Sequence, residues 1–272
     1  MNQSDSVASV AETAASGETA EIYADIRATL GTSVVNLIWR NLATLPGALR
    51  WTWSAVRPLY VGAAAPHAEA VRRTLSLPSV PPLSADTLTA AGLDRTALAA
   101  IRTTLDSYHH TNALALVVLS ALLERYDPST GEIAQPSNTV ASAGKAELAA
   151  LPSLADLAPE VQRLIAELNG FGEDTATFLI ASMYRHLAYW PPYLAIIRTV
   201  LAPLQADGQL NALTRAARTL GRAHGRALVN RLAPGNPPAS LDQVLASCRL
   251  FVEHPIARMT GICALVRRAM PE

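Results

Sequence analysis

Residues 40–59, RNLATLPGALRWTWSAVRPL, return at residues 185–204 as RHLAYWPPYLAIIRTVLAPL, and the two stretches superpose without a gap at a shift of 145 residues. Arg40 meets Arg185, Leu42 meets Leu187, Ala43 meets Ala188, Pro46 meets Pro191, Leu49 meets Leu194, Pro58 meets Pro203 and Leu59 meets Leu204, seven identities in twenty columns. Leu and Ala are common throughout the chain, so the prolines carry most of the weight. Proline fixes φ and removes an N–H donor, so a pair of them twelve residues apart in both halves predicts the same helix start and the same kink. The pattern is that of a duplicated helical unit. Two such units packed about a pseudo-twofold axis leave their shared interface as the natural place for a ligand pocket.

Outward from the repeat, apolar residues recur at i, i+3 and i+4 while the alternation of strands is nearly absent, so the chain reads as all-α. Glu21 to Leu30 puts Ile22, Ile26 and Leu30 on one stripe and stops at Gly31, a natural C-terminal glycine. Asp94 to Arg125 is a second, Leu-rich helix with Asp94 as its N-cap. Ser76 to Ser84, with Pro78, Pro81 and Pro82, and Asp127 to Gly144, with Pro128, Gly131 and Pro136, read as linkers. The second divides the chain into a first repeat at 17–127, a linker at 128–150 and a second repeat at 151–272. Residues 1–16 are expected to form a disordered leader.

Composition narrows the function classes. The 272 residues carry 22 Lys plus Arg against 22 Asp plus Glu, only 16% are charged and 50% are hydrophobic. With no net charge and no basic run, there is little to neutralise phosphates, so nucleic acid is not an expected partner. So apolar a chain buries enough surface to offset its ordering entropy, which excludes bulk disorder. The longest apolar run, Asn112 to Leu123, falls short of the roughly 20 residues a membrane span needs. The polar, acidic start is unlike a secretory signal. Cys248 and Cys263 show no CxxC spacing, and a cytoplasmic location without disulfides is expected.

Few residues stand out chemically. Tyr108-His109-His110-Thr111-Asn112 is a polar cluster opening onto the apolar run. On a helix, Tyr108 and His109 share a face with Asn112, while His110 points away. Asn112 can donate to and accept from a water, and His109 is a candidate to take its proton; the plainer reading is a polar turn whose groups are simply satisfied. His67, His186, His224 and His254 are scattered, without HxxxH spacing or a Cys at ligand spacing, so no metal site is expected. GxxxxGK[ST], GxGxxG and GxSxG motifs are absent. Arg40 and Arg185 either fork onto a carboxylate or sit exposed on each copy of the helix. Glu173 and Asp174 read as opening the helix that leads to Arg185, favoured there by its dipole.

The chain resembles the group I 2-haloacid dehalogenases, all-helical hydrolases acting on D- and L-2-haloalkanoic acids. The similar stretches are Gly17-Glu18, Tyr23, Asp25-Ile26-Arg27, Thr29-Leu30, Arg40, Leu42-Ala43-Thr44 and Pro46-Gly47. Ala90-Ala91-Gly92 continuing to Asn112, Glu160-Val161-Gln162, Leu187-Ala188, Trp190-Pro191 and Leu201-Ala202-Pro203 follow in the family's order. The resemblance implies two tandem helical repeats with the active site between them. An Asp from the second repeat and an Asn from the first activate a water, which attacks the α-carbon directly and expels halide with inversion. Neither a covalent ester nor a cofactor is implied. The family's Asn falls on Asn112, its Ser on Ser182, and its Asp on Met183.

A thioether takes no proton from water, and a positioned base contributes about 10² to 10⁴ in rate. The base must then come from elsewhere. His109 is the candidate beside Asn112; Glu173 and Asp174 are alternatives, although Asp174 lies nine residues before Met183. An aromatic pair expected in the family's pocket becomes Val34 and Leu37. Those two, with Tyr108, Ser182 and Met183, form the expected substrate wall. Three readings follow: a carbon–halide hydrolase, an inactive relative that binds a small acid or hydrophobic molecule, and a helical scaffold. The expected partner is a small-molecule substrate, with a homodimer as a possible assembly and no cofactor or membrane.

Overall fold

The computed structural model describes residues 7–138, 147–174 and 179–271, and its described elements are helical with no strand among them. No helix among the described residues is long and apolar enough to cross a membrane.

Helix α1, Gly17–Leu30, buries Tyr23, Ile26 and Leu30 and ends on Gly31 in the left-handed region at φ 65°, where a side chain would be strained. Tyr23, rather than the expected Ile22, is buried on that stripe beside Ile26 and Leu30. Short α2, Leu37–Leu42, leads to α3, Ala48–Pro58. A π-helical turn, Leu59–Ala63, then carries the axis on into α4, Ala64–Thr74. The proline-rich segment 76–84 crosses without helix to α5, Ala85–Ala90. The spine is α6, Arg95–Tyr126, 32 residues long, about 48 Å at 1.5 Å per residue. Asp94 caps it by accepting the Ala97 N–H at 2.7 Å.

In the second half, α7 (Pro159–Gly170), α8 (Ser182–Leu187), α9 (Pro191–Ala206) and α10 (Gln209–Arg226) precede α11, Leu241–Phe251. A second π-helical turn, Val252–Ile256, joins α11 to α12, Ala257–Ala269. Glu173 and Asp174 do not open a helix as the sequence suggested; they lie in the turn after α7, and α8 begins only at Ser182.

The paired prolines behave differently in the two halves. Pro191 is the first residue of α9 and is followed by Pro192, tolerated because the first N–H groups of a helix are unpaired anyway. Pro46 is instead followed by Gly47 at φ 71°, so α3 starts only at Ala48. Pro58 is followed by a π turn and a renewed helix, whereas α9 runs through Pro203 and ends within one turn.

The leader expected to be disordered is docked from residue 7 onward, while residues 1–6 lie outside the described residues. Val10 donates its N–H to the Arg40 carbonyl at 2.9 Å, and Glu12 pairs with Arg27 at 2.8 Å and accepts the Val35 N–H at 2.8 Å. These bonds replace solvent for the segment's polar groups and hold it against α1 and α2. The linker 128–150 contains no helix or strand where it is described, 128–138 and 147–150.

Two hydrophobic clusters form the core, and each draws on both halves of the chain. Tyr23 to Leu75 packs with residues 113–122 of α6 and with Leu213, Val244, Phe251 and Ile256. Residues 101–108 of α6 instead pack with Ile165 to Leu210, with Met259 to Val266 of α12 and with Met270 just after it. The spine therefore passes from one cluster into the other near Asn112.

Candidate active site

A cavity of about 50 Å³ opens where α6 changes clusters. Four segments line it: Asn36, Leu37 and Ile38 at the start of α2; Tyr108, Asn112 and Ala115 on α6; residues 179–183 leading into α8; and Phe251, Pro255, Ile256 and Met259 around the second π turn. Leu37, Tyr108, Asn112, Ser182 and Met183, singled out from sequence, thus share one cavity. Val34 and His109 are not among its walls.

Helical geometry separates His109 from Tyr108. Relative to Asn112, at 100° per residue, Tyr108 and Ala115 point about 40° and 60° to one side and His109 about 60° to the other. The cavity takes the first side. His109 lies among Arg72, Arg267 and Asp106; burial first, then the two arginines, pushes its imidazole down to about 4.

The 179–181 segment has no helix to hold it. Asn169 does so instead, donating to the Leu179 carbonyl at 3.0 Å and accepting the Ala181 N–H at 3.0 Å. Arg258, fully buried on α12, fixes Asn169 in turn, donating to its side-chain oxygen at 2.8 Å and to its carbonyl. Glu173 lies 3.5 Å from Arg258 and also pairs with Arg218 and His254, each at 3.1 Å. Asp174 is exposed and bonds Asn211 at 2.7 Å and Arg215 at 3.3 Å. Asn211 first, then Arg215, holds its carboxyl below the usual range. Neither carboxylate lines the cavity.

Arg40 and Arg185 are buried rather than exposed on their helices. Arg40 donates to the Val10 carbonyl at 3.3 Å and to Ser9 Oγ at 3.2 Å; Arg185 donates to the Pro152 carbonyl at 2.6 and 3.0 Å. Each anchors the chain entering its half.

Among the described walls there is no Asp, Glu, His, Lys or Arg, and residues 175–178, which lie outside the described residues, are Thr, Ala, Thr and Phe. The polar side chains are Asn36, Tyr108, Asn112 and Ser182. Asn112 Nδ2 and Asn36 Oδ1 are buried without a hydrogen-bond partner among the described residues. A buried polar atom left unsatisfied costs about 1–3 kcal/mol, so a donor and an acceptor on residues of the cavity wall are left for a small ligand or water to satisfy. Met183, 1% exposed, contributes a thioether. Among the described residues no group of three or more His, Cys, Asp or Glu is arranged to hold a metal. Cys248 and Cys263 are free thiols buried in separate clusters.

Sequence reasoning missed two parts of this arrangement. The Tyr108 hydroxyl bonds His186 Nδ1 at 2.6 Å, and His186 Nε2 bonds the Ala149 carbonyl at 3.0 Å. His186 looked like one of several scattered histidines, and its partner lies 78 residues away. The π-turn wall was also missed; a proline at 255 within a helical pattern was the available signal.

No family model matches the chain. A curated "2-haloacid dehalogenase, configuration-inverting" from Alcaligenes xylosoxydans xylosoxydans is 27% identical over 263 residues, covering 93% of this chain and 85% of the relative. Among solved structures, a D-2-haloacid dehalogenase mutant in complex with D-2-CPA aligns with a TM-score of 0.69 at 18% identity, covering 97% of this chain and 96% of that one. A structure of a D-2-haloacid dehalogenase mutant reaches 0.71, and a D-2-haloacid dehalogenase in complex with L-LA 0.69, at the same identity and coverage. The chain is thus similar in sequence to an inverting 2-haloacid dehalogenase and shares the all-helical fold of D-2-haloacid dehalogenases.

Proposed function

We propose that the chain hydrolyses the carbon–halogen bond of a small 2-haloalkanoic acid, water attacking the α-carbon and displacing halide with inversion. The observation that carries this reading is the unpartnered amide of Asn112 in an otherwise apolar cavity. Near-full-length similarity to an inverting dehalogenase supports it. In this reading Asn112 orients the water, and Leu37, Ile38, Phe251 and Met259 enclose the alkyl group and halogen. Excluding bulk water strengthens the polar contacts of a site with so few of them. The 145-residue correspondence is read as a duplication that leaves the cavity between two units, since Leu37 and Asn112 come from one half and Ser182 and Met183 from the other.

Purified protein is expected to release chloride from 2-chloropropionate, and Asn112→Ala to lower kcat on the order of 10²-fold or more by misplacing the water. Folded wild-type protein that releases no halide from any 2-haloacid would sink the reading. A second reading, binding without turnover, is favoured by Met183 at the position where the resembling family has its Asp. Calorimetric binding of 2-chloropropionate without chloride release would select it.

A further inference from the structure

The proton of the attacking water needs an acceptor, and the described cavity walls include no carboxylate, imidazole or amine. Tyr108 provides a way out. Its hydroxyl lies 2.6 Å from His186 Nδ1, and Ser182 lines the same cavity from another wall. The His186 tautomer follows from its surroundings: Nε2 faces the Ala149 carbonyl, which only accepts, so Nε2 carries the hydrogen and Nδ1 is a free acceptor. The Tyr108 O–H therefore donates to His186. On its far side, His186 lines an outer groove of about 600 Å³ together with Glu147, Ala149 and Tyr189. The Tyr108–His186 hydrogen bond thus leads from the cavity wall to a residue that borders the outer groove.

We infer that Tyr108 and His186, with Ser182 at the inner end, relay the proton of the attacking water out of the cavity in place of a carboxylate at position 183. The inference rests on the dehalogenase reading and gives it the base it lacks. As the water oxygen bonds the α-carbon, the carbon–halogen bond breaks and its electron pair leaves with the halide. One water proton passes to the Tyr108 oxygen, directly or through Ser182 Oγ, while the Tyr108 proton moves to His186 Nδ1. The imidazolium then gives a proton to solvent at the groove. Nothing is oxidised or reduced, and the products are a 2-hydroxy acid, halide and a proton.

The acid–base properties suit those roles. Burial pushes the Tyr108 phenol far above its usual value, so it transmits a proton without persisting as phenolate. Burial, assisted by Arg185, pushes His186 down to about 4 against a weaker upward pull from Ala149. His186 is therefore neutral and ready to accept at pH 7. Burial thus brings its basicity down toward that of a carboxylate, the group that the resemblance places at position 183. The charged and titratable groups that face it are Tyr108 from α6, Arg185 from α8, and Glu147 and Tyr189 along the groove.

Chloride release from 2-chloropropionate by wild type, Tyr108→Phe, His186→Gln and the double variant tests the relay, with melting curves to confirm folding. Each single variant is expected to lower kcat by about 10²-fold or more, with KM changed by only a few-fold. The double variant is expected to lose no more than the worse single one, because parts of one relay fail together. Wild-type kcat in Tyr108→Phe, or losses that multiply in the double variant, would overturn the relay and leave the dehalogenase reading standing. No chloride from wild type would overturn both. If His186→Gln does not fold, the near-isosteric Tyr108→Phe decides alone: loss of kcat at constant KM supports the relay and retention refutes it.

Discussion

At Met183 an apolar side chain stands where the resemblance places a carboxylate, and no Asp, Glu, His, Lys or Arg is among the described walls of the cavity. Met183→Asp would introduce a base that takes the proton in one step. It is expected to raise kcat, and in a His186→Gln background to restore activity by about 10²-fold. The same carboxylate would be buried with no cation on the walls, so the melting temperature should fall and its pKa should rise. A variant that folds and gains nothing would show that the cavity does not position the substrate. Asn112, Tyr108, Leu37, Ser182 and Met183 were all legible in the sequence as candidates. His109 was preferred to Tyr108 as the acting neighbour because both flank Asn112 on a helix, and only the packing of α2, α8 and the π turn shows which flank faces the cavity. His186 left no local signal, because its part depends on a contact between two distant helices.

Helix positions were more legible than helix interruptions. Gly31 and Asp94 mark ends that the structure keeps, since capping is local chemistry. The π turns after Pro58 and around Pro255 were not legible, because widening a helix by one residue depends on what it packs against. Close approach of α10 to its neighbours is set by small residues. A Cβ on Gly225 would lie 2.7 Å from the Ala121 backbone nitrogen in α6, and one on Gly221 would lie 2.7 Å from the Leu116 side chain. Backbone cannot yield as a leucine can. Gly225→Ala is expected to destabilise by about 1–3 kcal/mol, more than Gly221→Ala, in urea unfolding. Equal midpoints for both variants and wild type would mean that α6 and α10 pack less tightly than described.

On the scale of the molecule, two pairs of helices begin at the 145-residue spacing, while α3 and α9 begin 143 residues apart. Helices α2 and α8 each have six residues and begin 145 positions apart, as do α4 and α10 in their starts. What the sequence did not disclose is that the spine α6 is shared between two hydrophobic clusters. Strand-like or helical periodicity reports which face is buried, never against which partner. Six histidines in so apolar a body have a collective consequence. Burial pushes His109, His110, His186 and His224 down to about 4, and His67 down as well. Between an unfolded value of about 6.5 and the folded values, the unfolded chain binds more protons, so stability must fall as pH is lowered through that window. Denaturation midpoints should decline from pH 7 toward pH 4, before most carboxylates titrate; a flat profile there would mean these imidazoles are solvated.

The central claim, direct attack of water on a 2-haloacid in this cavity, is tested most directly by a single turnover of 2-chloropropionate in ¹⁸O-labelled water with protein in excess. The predicted result is chloride release together with lactate of inverted configuration that carries the label in its first turnover. Contradicting results are the absence of chloride from folded protein, or first-turnover lactate that is unlabelled or of retained configuration, since its hydroxyl oxygen would then have come from the protein.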